Sequence, residues 1–381
     1  MDRSTGSARR QIGRLGRLEG VSASRTGPGN HLISKCAEPS DNGDVAGRRT
    51  NLALLGLLAV ALATGTLAFS LGNGWTRWAV VAHGAAAFGI LVLISWKSVI
   101  ARRGLRRRRS GSWASMAFAL LVAVTLAAGI GHASGLLRSM GGGITAMQVH
   151  VGAALASLPF GFWHVAARRV RPHRTDFSRR ALLRAALLLG GSLAAYGGVA
   201  GVVRLAELPG RARRLTGSYA VGSYRPDEMP VTQWLFDRVP ELDGATWRLS
   251  LRSADGRAEA RSLKDLSALS ERVWATIDCT GGWYANQEWE GVRLDHLFHG
   301  PADGTSILAR SATGYSRRFP SRDASRLWVV VGAGGRPLSA GHGHPARIVA
   351  PGRRGFWWVK WLVSLEVSDT PWWWQPPFPV G

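Results

Sequence analysis

Five apolar segments, each close to the roughly 20 residues that carry a helix across a bilayer, crowd the first part of this 381-residue chain. They run over 52–72, 78–100, 113–136, 144–167 and 181–203, and the spacing predicts five transmembrane α-helices. The loop between the second and third carries Arg102, Arg103 and the run Arg106 to Arg109. The loop between the fourth and fifth carries Arg168, Arg169, Arg171, Arg174, Arg179 and Arg180, whereas the other two connections hold only Arg77 and Arg138. Basic loops stay on the cytoplasmic side, so the N-terminus lies inside and everything beyond residue 204 lies outside the cytoplasm. The net charge of +24 then reflects topology, and no nucleic-acid partner is expected.

The organisation read from the pattern has five parts. Residues 1–50 are a basic arm without apolar periodicity, expected to be disordered, with Cys36 as an exposed thiol. Residues 51–170 are a four-helix module, 171–204 the fifth helix, 205–224 a tether and 225–381 an extracytoplasmic α+β domain. Two cysteines on opposite sides of a membrane cannot pair, so no disulfide is expected. Ser178 to Arg184 (Ser-Arg-Arg-Ala-Leu-Leu-Arg) is similar to a twin-arginine export signal placed internally; ordinary positive-inside charge accounts for it as well.

The first four spans read as a duplicated hairpin. His83 opens the apolar part of the second span and His150 holds the same place in the fourth, 67 residues on. At that offset Trp96 falls on Trp163, Ala86 and Ala87 on Ala153 and Ala154, and Lys97 on His164. Ionisable groups inside a span are costly and usually functional. Two imidazoles at one depth suit the axial positions of one b-type haem, with Gly84, Ala85, Ala86, Gly152 and Ala153 leaving room for the macrocycle. The plainer reading is a hydrogen bond between helices. The His150–His164 spacing resembles a helix of the two-haem membrane cytochromes b, but Lys97 stands where an inner partner of His164 is needed, so one outer haem is expected. His132 reads as an interfacial residue, a replacement ligand or a propionate contact.

Beyond the tether the pattern turns to short strands. Trp247–Leu251 alternates, Asp255-Gly256 marks a turn, Ser262 to Leu266 begins a helix, and Val292–Leu297 reads as another helix start. Ser311–Tyr315, Leu327–Val331, Ala346–Ala350 and Trp358–Val367 read as strands. Thr276 and Ile277 lead a strand into Cys279, and Gly281-Gly282 turn the chain immediately after it. A lone cysteine at such a point is a buried hydrophobe, a nucleophile or a metal ligand. Further on, Arg347, Arg353, Arg354 and Lys360 surround a loop rich in glycine and proline, a candidate anion site or simply a solvated basic loop.

Cys279 with Gly281-Gly282-Trp283 and Trp289-Glu-Gly-Val-Arg-Leu294 resembles the cysteine segment of the oxidoreductase molybdopterin-binding superfamily. That group holds sulfite oxidases, plant-type nitrate reductases and the catalytic subunit of the bacterial periplasmic methionine-sulfoxide reductase. Gly343-His-Pro-Ala-Arg-Ile-Val-Ala-Pro351, then Trp358-Val-Lys360, resembles its second signature, a G-x-P-x-R-x-x-x-P loop followed by a V-K strand. The resemblance implies that Cys279 binds molybdenum beside a molybdopterin dithiolene. It implies that Arg347 meets the pterin phosphate and that Trp358, Val359 and Lys360 clamp it. His342 stands where relatives carry an asparagine, Ser311 or Thr313 supplies a hydroxyl contact, and Tyr315, Trp283 and Arg318 are candidates for the substrate mouth.

The resemblance carries no second C-terminal sandwich and no soluble haem domain, and the end Pro371-Trp-Trp-Trp-Gln-Pro-Pro-Phe378 reads as an aromatic cover at the bilayer. The expected protein is therefore a multi-pass enzyme of a bacterial cell membrane. It transfers oxygen atoms to or from a small-molecule or protein sulfoxide-type substrate and exchanges electrons with a quinone pool or another electron-transfer partner. The alternatives are a molybdenum enzyme whose helices only anchor it, and a binding or sensing module without metal.

Overall fold

The computed structural model describes residues 41–72, 74–105, 112–139, 143–168, 170–234, 237–298, 305–376 and 378. Most of the basic arm, with Cys36, and the arginine run 106–109 lie outside them. Five long helices come first: α1 (Asp41–Ser70), α2 (Thr76–Leu105), α3 (Ser112–Ser134), α4 (Ala146–Ala167) and α5 (Arg179–Leu205). All five are long and apolar enough to cross a membrane. α1 starts earlier than the sequence pattern suggested. Its first turns run back to Asp41, and Arg48 and Arg49 both pair with Asp176 ahead of α5, at 3.0 and 3.3 Å.

Local chemistry sets the helix starts. Thr145 caps α4: its hydroxyl accepts the Gln148 N–H at 3.1 Å while the Gln148 side chain accepts the Thr145 N–H at 2.8 Å. Ser178 caps α5 through the Ala181 N–H. One histidine–glycine contact recurs in the two helix pairs. His83 lies against Gly65 of α1, where an added Cβ would meet the ring at 3.0 Å, and His150 lies against Gly129 of α3 at 2.8 Å. One of the small residues beside the histidines does another job, while an added Cβ on Gly152 would meet nothing within 4 Å. A Cβ on Gly84 would sit 2.3 Å from the Tyr196 ring of α5, so that position admits α5 rather than a macrocycle.

The following domain is built on two sheets. The strands are β1 (Tyr219–Ala220), β2 (Arg248–Arg252), β3 (Ala258–Ser262), β4 (Glu271–Asp278), β5 (Trp283–Arg293), β6 (Ser306–Ser311), β7 (Ser316–Pro320), β8 (Trp328–Ala333), β9 (Arg336–Pro337), β10 (Arg347–Val349) and β11 (Leu362–Ser368). One sheet runs β1-β5-β8-β10, with β4 on β5 and β9 on β8; the other runs β3-β2-β11-β6-β7. Inward positions of β5 (Trp283, Ala285, Gln287 and Trp289) alternate with half-buried ones, as a strand with one core face must. A short helix α6 (Leu263–Ala268) starts at Ser262, as its Ser262/Asp265 capping box dictates.

Four expectations change. Ser311–Tyr315 is a turn rather than a strand: Ser311 ends β6, its N–H donates to Tyr315 O at 2.8 Å, and β7 begins at Ser316. Val292 and Arg293 complete β5, and only a 3-10 turn follows (Leu294–His296), because Val292 pairs with Val329 in β8. Trp358 to Trp361 is not strand: Trp361 takes a left-handed φ of 51°, which breaks the ladder before Leu362. The segment expected as a tether is integral to the sheet. Tyr219 pairs with Trp283 in parallel, and Thr216 and Ser218 are buried.

Candidate functional site

Cys279 heads the β4–β5 hairpin. Its N–H donates to Trp283 O at 2.8 Å and Gly282 N–H donates back to Cys279 O at 3.2 Å, closing a four-residue turn. Gly282 holds φ 89°, which other side chains adopt only under strain. The turn presents the sulfur to donors: Gly281 N–H lies 3.3 Å from Sγ and the Thr232 hydroxyl 3.5 Å.

The residue before the cysteine locks this turn from behind. Asp278, 6% exposed, accepts from Thr216 at 2.7 Å and Ser218 at 2.6 Å and forms a buried ion pair with Arg354. A second nitrogen of Arg354 donates to Cys279 O at 3.2 Å. Burial pulls the Arg354 guanidinium below its usual range and Asp278 pushes it back. A charge pair this deep is held by its hydrogen bonds more than by Coulomb attraction alone. Arg353 is occupied elsewhere, paired with Asp323 at 2.5 Å and stacked 4.5 Å over Trp357.

Arg347 and Lys360 converge from the other side. Arg347 is 2% exposed, donates to His342 O at 3.0 Å and Trp358 O at 3.3 Å, and lies 5.4 Å over the Trp289 ring. Burial lowers it to about 9, offset by the Cys279 charge, so it stays a cation at neutral pH. Lys360 Nζ donates to Thr232 O and Gly341 O, each at 2.8 Å, and burial with the Arg347 charge brings it down to about 7. Val359 O accepts from Ile348 N–H at 2.7 Å, which ties the lysine segment to the arginine strand.

The other expected residues divide. His342 donates from Nε2 to Met229 O at 3.0 Å and meets the Ser339 hydroxyl through Nδ1 at 2.8 Å, so both ring nitrogens already serve the protein. Burial, then Arg347, pushes it down toward the neutral form. Ser311 is buried, bonded to the Thr313 hydroxyl at 3.1 Å, and in register with Leu362, two positions beyond Lys360. Tyr315 donates its hydroxyl to Phe356 O, one residue beyond Gly355, whose added Cβ would stand 3.1 Å from Cys279 Cα, and Arg318 lies on β7 in the second sheet. The sequence reading missed Thr232, Asp278, Thr216 and Ser218. Asp278 had one available signal, its place directly before Cys279.

An anionic, sulfur-rich cofactor fits this donor set. Of the residues gathered at this turn and its basic loop, three leave a buried N–H without a partner among the described residues: Arg347 Nε, Arg354 Nε and Trp283 Nε1. The Trp283 nitrogen and the Cys279 sulfur flank the same point, 3.7 and 3.6 Å from where a Gly281 Cβ would stand. Unsatisfied buried donors are expensive, and a pterin with phosphate and dithiolene supplies acceptors.

Residues 236–374 match the family model described as oxidoreductase molybdopterin binding domain. Over this stretch the chain is similar to molybdopterin-binding oxidoreductase domains. The chain is 27% identical over 175 residues to mitochondrial sulfite oxidase of Mus musculus, covering 36% of this chain and 32% of that protein. It is 38% identical over 69 residues to nitrate reductase [NADPH] of Mycosarcoma maydis, 18% of this chain and 7% of that protein. Among solved structures, the sulfane dehydrogenase SoxCD from Paracoccus pantotrophus matches 35% of this chain and 40% of its own at 26% identity, with a TM-score of 0.32. The chain therefore spans about a third of the sulfite oxidase it matches. The domain match contains Cys279, Arg347 and Lys360; Thr216, Ser218 and Thr232 lie ahead of it.

In the helical module both histidines are oriented alike. His83 Nδ1 bonds Ala61 O of α1 at 2.8 Å, and His150 Nδ1 bonds Thr125 O of α3 at 2.7 Å. The two carbonyls stand 64 residues apart, as do Gly65 and Gly129. A carbonyl only accepts, so each Nδ1 carries the proton and each Nε2 the lone pair. The rings lie 5.7 Å apart at 84°. His164, by contrast, meets the Ser115 hydroxyl at 2.9 Å.

Proposed function

We propose that this protein is a membrane-anchored molybdenum oxidoreductase working on the extracytoplasmic face. It transfers an oxygen atom in the sulfoxide-reductase or the sulfite-oxidase sense, and its electrons are exchanged with the quinone pool through one b-type haem. The observation that carries the reading is the cysteine turn, with a sulfur under an N–H and a hydroxyl inside a shell of unpartnered buried donors.

Cys279 would hold the metal, Arg347 and Lys360 the phosphate end, and Trp283 Nε1 a polar atom close to the sulfur. Bound there, the molybdenum cofactor supplies two-electron redox chemistry and oxygen-atom transfer. The chain's own share is positional. Asp278 and Arg354 keep the turn from shifting, Thr232 and Gly281 N–H fix the position of the sulfur, and His342 orients the loop of Met229 that leads to Thr232. The haem part rests on the shared tautomer of His83 and His150, because a histidine that donates from Nδ1 to a backbone carbonyl presents Nε2 to a metal. A module that brings electrons to the domain in the same chain favours reduction of sulfoxide-type substrates over their formation.

Molybdenum content and turnover of wild type and Cys279→Ser test the core of this reading, with sulfoxides, N-oxides and sulfite as substrates. We expect metal and turnover to be lost together; equal molybdenum in both proteins would overturn it. Reduced-minus-oxidised spectra of membranes should show a b-type band that His83→Ala and His150→Ala each abolish. A band that survives the double substitution removes the haem.

A further inference from the structure

The cysteine turn touches the helices directly. Thr145, the residue that caps α4, donates its hydroxyl to Gly281 O at 2.8 Å, and Gly281 N–H reaches Cys279 Sγ at 3.3 Å. Gly282 is pressed between two helix side chains: an added Cβ would stand 2.9 Å from His132 Cε1 and 3.0 Å from Met147 Cβ. His132 donates from Nε2 to Gly217 O at 2.8 Å, and its own carbonyl accepts the Tyr219 hydroxyl at 2.5 Å. Tyr219 is the residue paired with Trp283 in the sheet. The loop bearing the expected metal ligand is thus held to the outer end of the helix that bears His150. From Thr145 to His150 is five residues, about 7.5 Å along an α-helix.

We propose that the first turn of α4 is the electron route between the haem at His83 and His150 and the metal at Cys279, with Thr145 as the positioning residue that closes it; this rests on the metal and haem assignments above. The chain of contacts is unbroken from the α4 backbone, through the Thr145 hydroxyl, the Gly281 carbonyl and amide, to the sulfur. The other approach, Phe69 of α1 stacked on Phe356 with ring centroids 6.3 Å apart, carries no hydrogen bond to that turn. Electrons cross singly. Each passage would move one electron from the haem held by His83 and His150, leaving it oxidised from ferrous to ferric, to the metal held by Cys279, which would be reduced by one electron. A quinol gives up two electrons and two protons, and two passages with two protons remove one substrate oxygen as water.

The test compares turnover driven by a quinol with turnover driven by a reduced viologen dye that feeds molybdenum directly, using dimethyl sulfoxide as substrate. In Thr145→Val the quinol-to-viologen ratio should fall roughly tenfold or more, the scale of a small misplacement in a preorganised site. Re-oxidation of the haem band by substrate should slow in step, and amide exchange over 279–283 should quicken. Thr145→Ser restores all three. Gln148→Ala weakens the same helix cap without touching Gly281 and keeps the wild-type ratio, which separates the route from helix stability. A wild-type ratio in Thr145→Val, with haem and molybdenum intact, overturns this proposal alone. Absence of a b-type band in wild type overturns the haem reading beneath it, and the route with it.

Discussion

Lys360 is the residue whose charge is most finely set. Buried beside Arg347, its ammonium is lowered to about 7. Below that pH the lysine is charged both folded and unfolded, and the fold bears the full burial cost. From about 7 up to the unfolded value near 10.4 the unfolded chain holds more protons, so the stability of the cofactor-free protein rises with pH. Anion binding runs the opposite way, because it needs the ammonium. Molybdenum retained after dialysis should therefore be greater at about pH 6 than at about pH 8.5. Lys360→Arg should flatten that dependence and Lys360→Met should lose metal at both; equal retention by wild type at the two pH values would show that Lys360 is not a phosphate contact. The lysine was legible in the sequence because it follows a glycine-rich basic loop. Asp278 was not, since its meaning comes from Thr216, Ser218 and Arg354, at sequence separations of 62, 60 and 76 residues.

At the scale of elements, the β4–β5 hairpin was readable and its surroundings were not. The β-branched run before Cys279 and the two glycines after it specify a strand and a turn. Nothing local says why the second of them must be glycine, because the reason is a helix end 135 residues earlier in the chain: Met147 meets Gly282, while Thr145 meets only the backbone carbonyl of Gly281. The two positions should then differ. A Cβ on Gly281 makes ordinary contacts of 3.6 Å, whereas one on Gly282 collides with His132 and Met147 at a left-handed φ. Gly282→Ala should cost about 1–3 kcal/mol of stability and Gly281→Ala well under that. Thermal unfolding of the two variants measures it, and equal melting temperatures would mean that the helices do not press on the turn. The same distance explains the misread tether: residues 216–220 are polar and short, and only the partners Asp278 and Trp283 make them sheet and site.

Across the whole molecule, the two ends of the helices differ in kind. One end meets the sheet domain: Phe69 stacks on Phe356, Thr145 bonds Gly281, and His132 bonds Gly217. The opposite end gathers Arg48, Arg49, Asp176 and Arg168, with Lys97 and His164 close by. Arginine-rich ends remain in the cytoplasm, so the helix ends that carry the sheet domain should face out, and with them Cys279. With Cys36 and Cys279 both replaced by serine, single cysteines at Ser110 and at Ala254, an exposed position between β2 and β3, make the test direct. A membrane-impermeant maleimide added to intact cells should label Ala254→Cys and spare Ser110→Cys until the membrane is opened. The reverse pattern would put the catalytic face in the cytoplasm. The positive-inside argument would then fail in this chain, and the five spans would have to be recounted before any route from a quinone pool to the cysteine could stand.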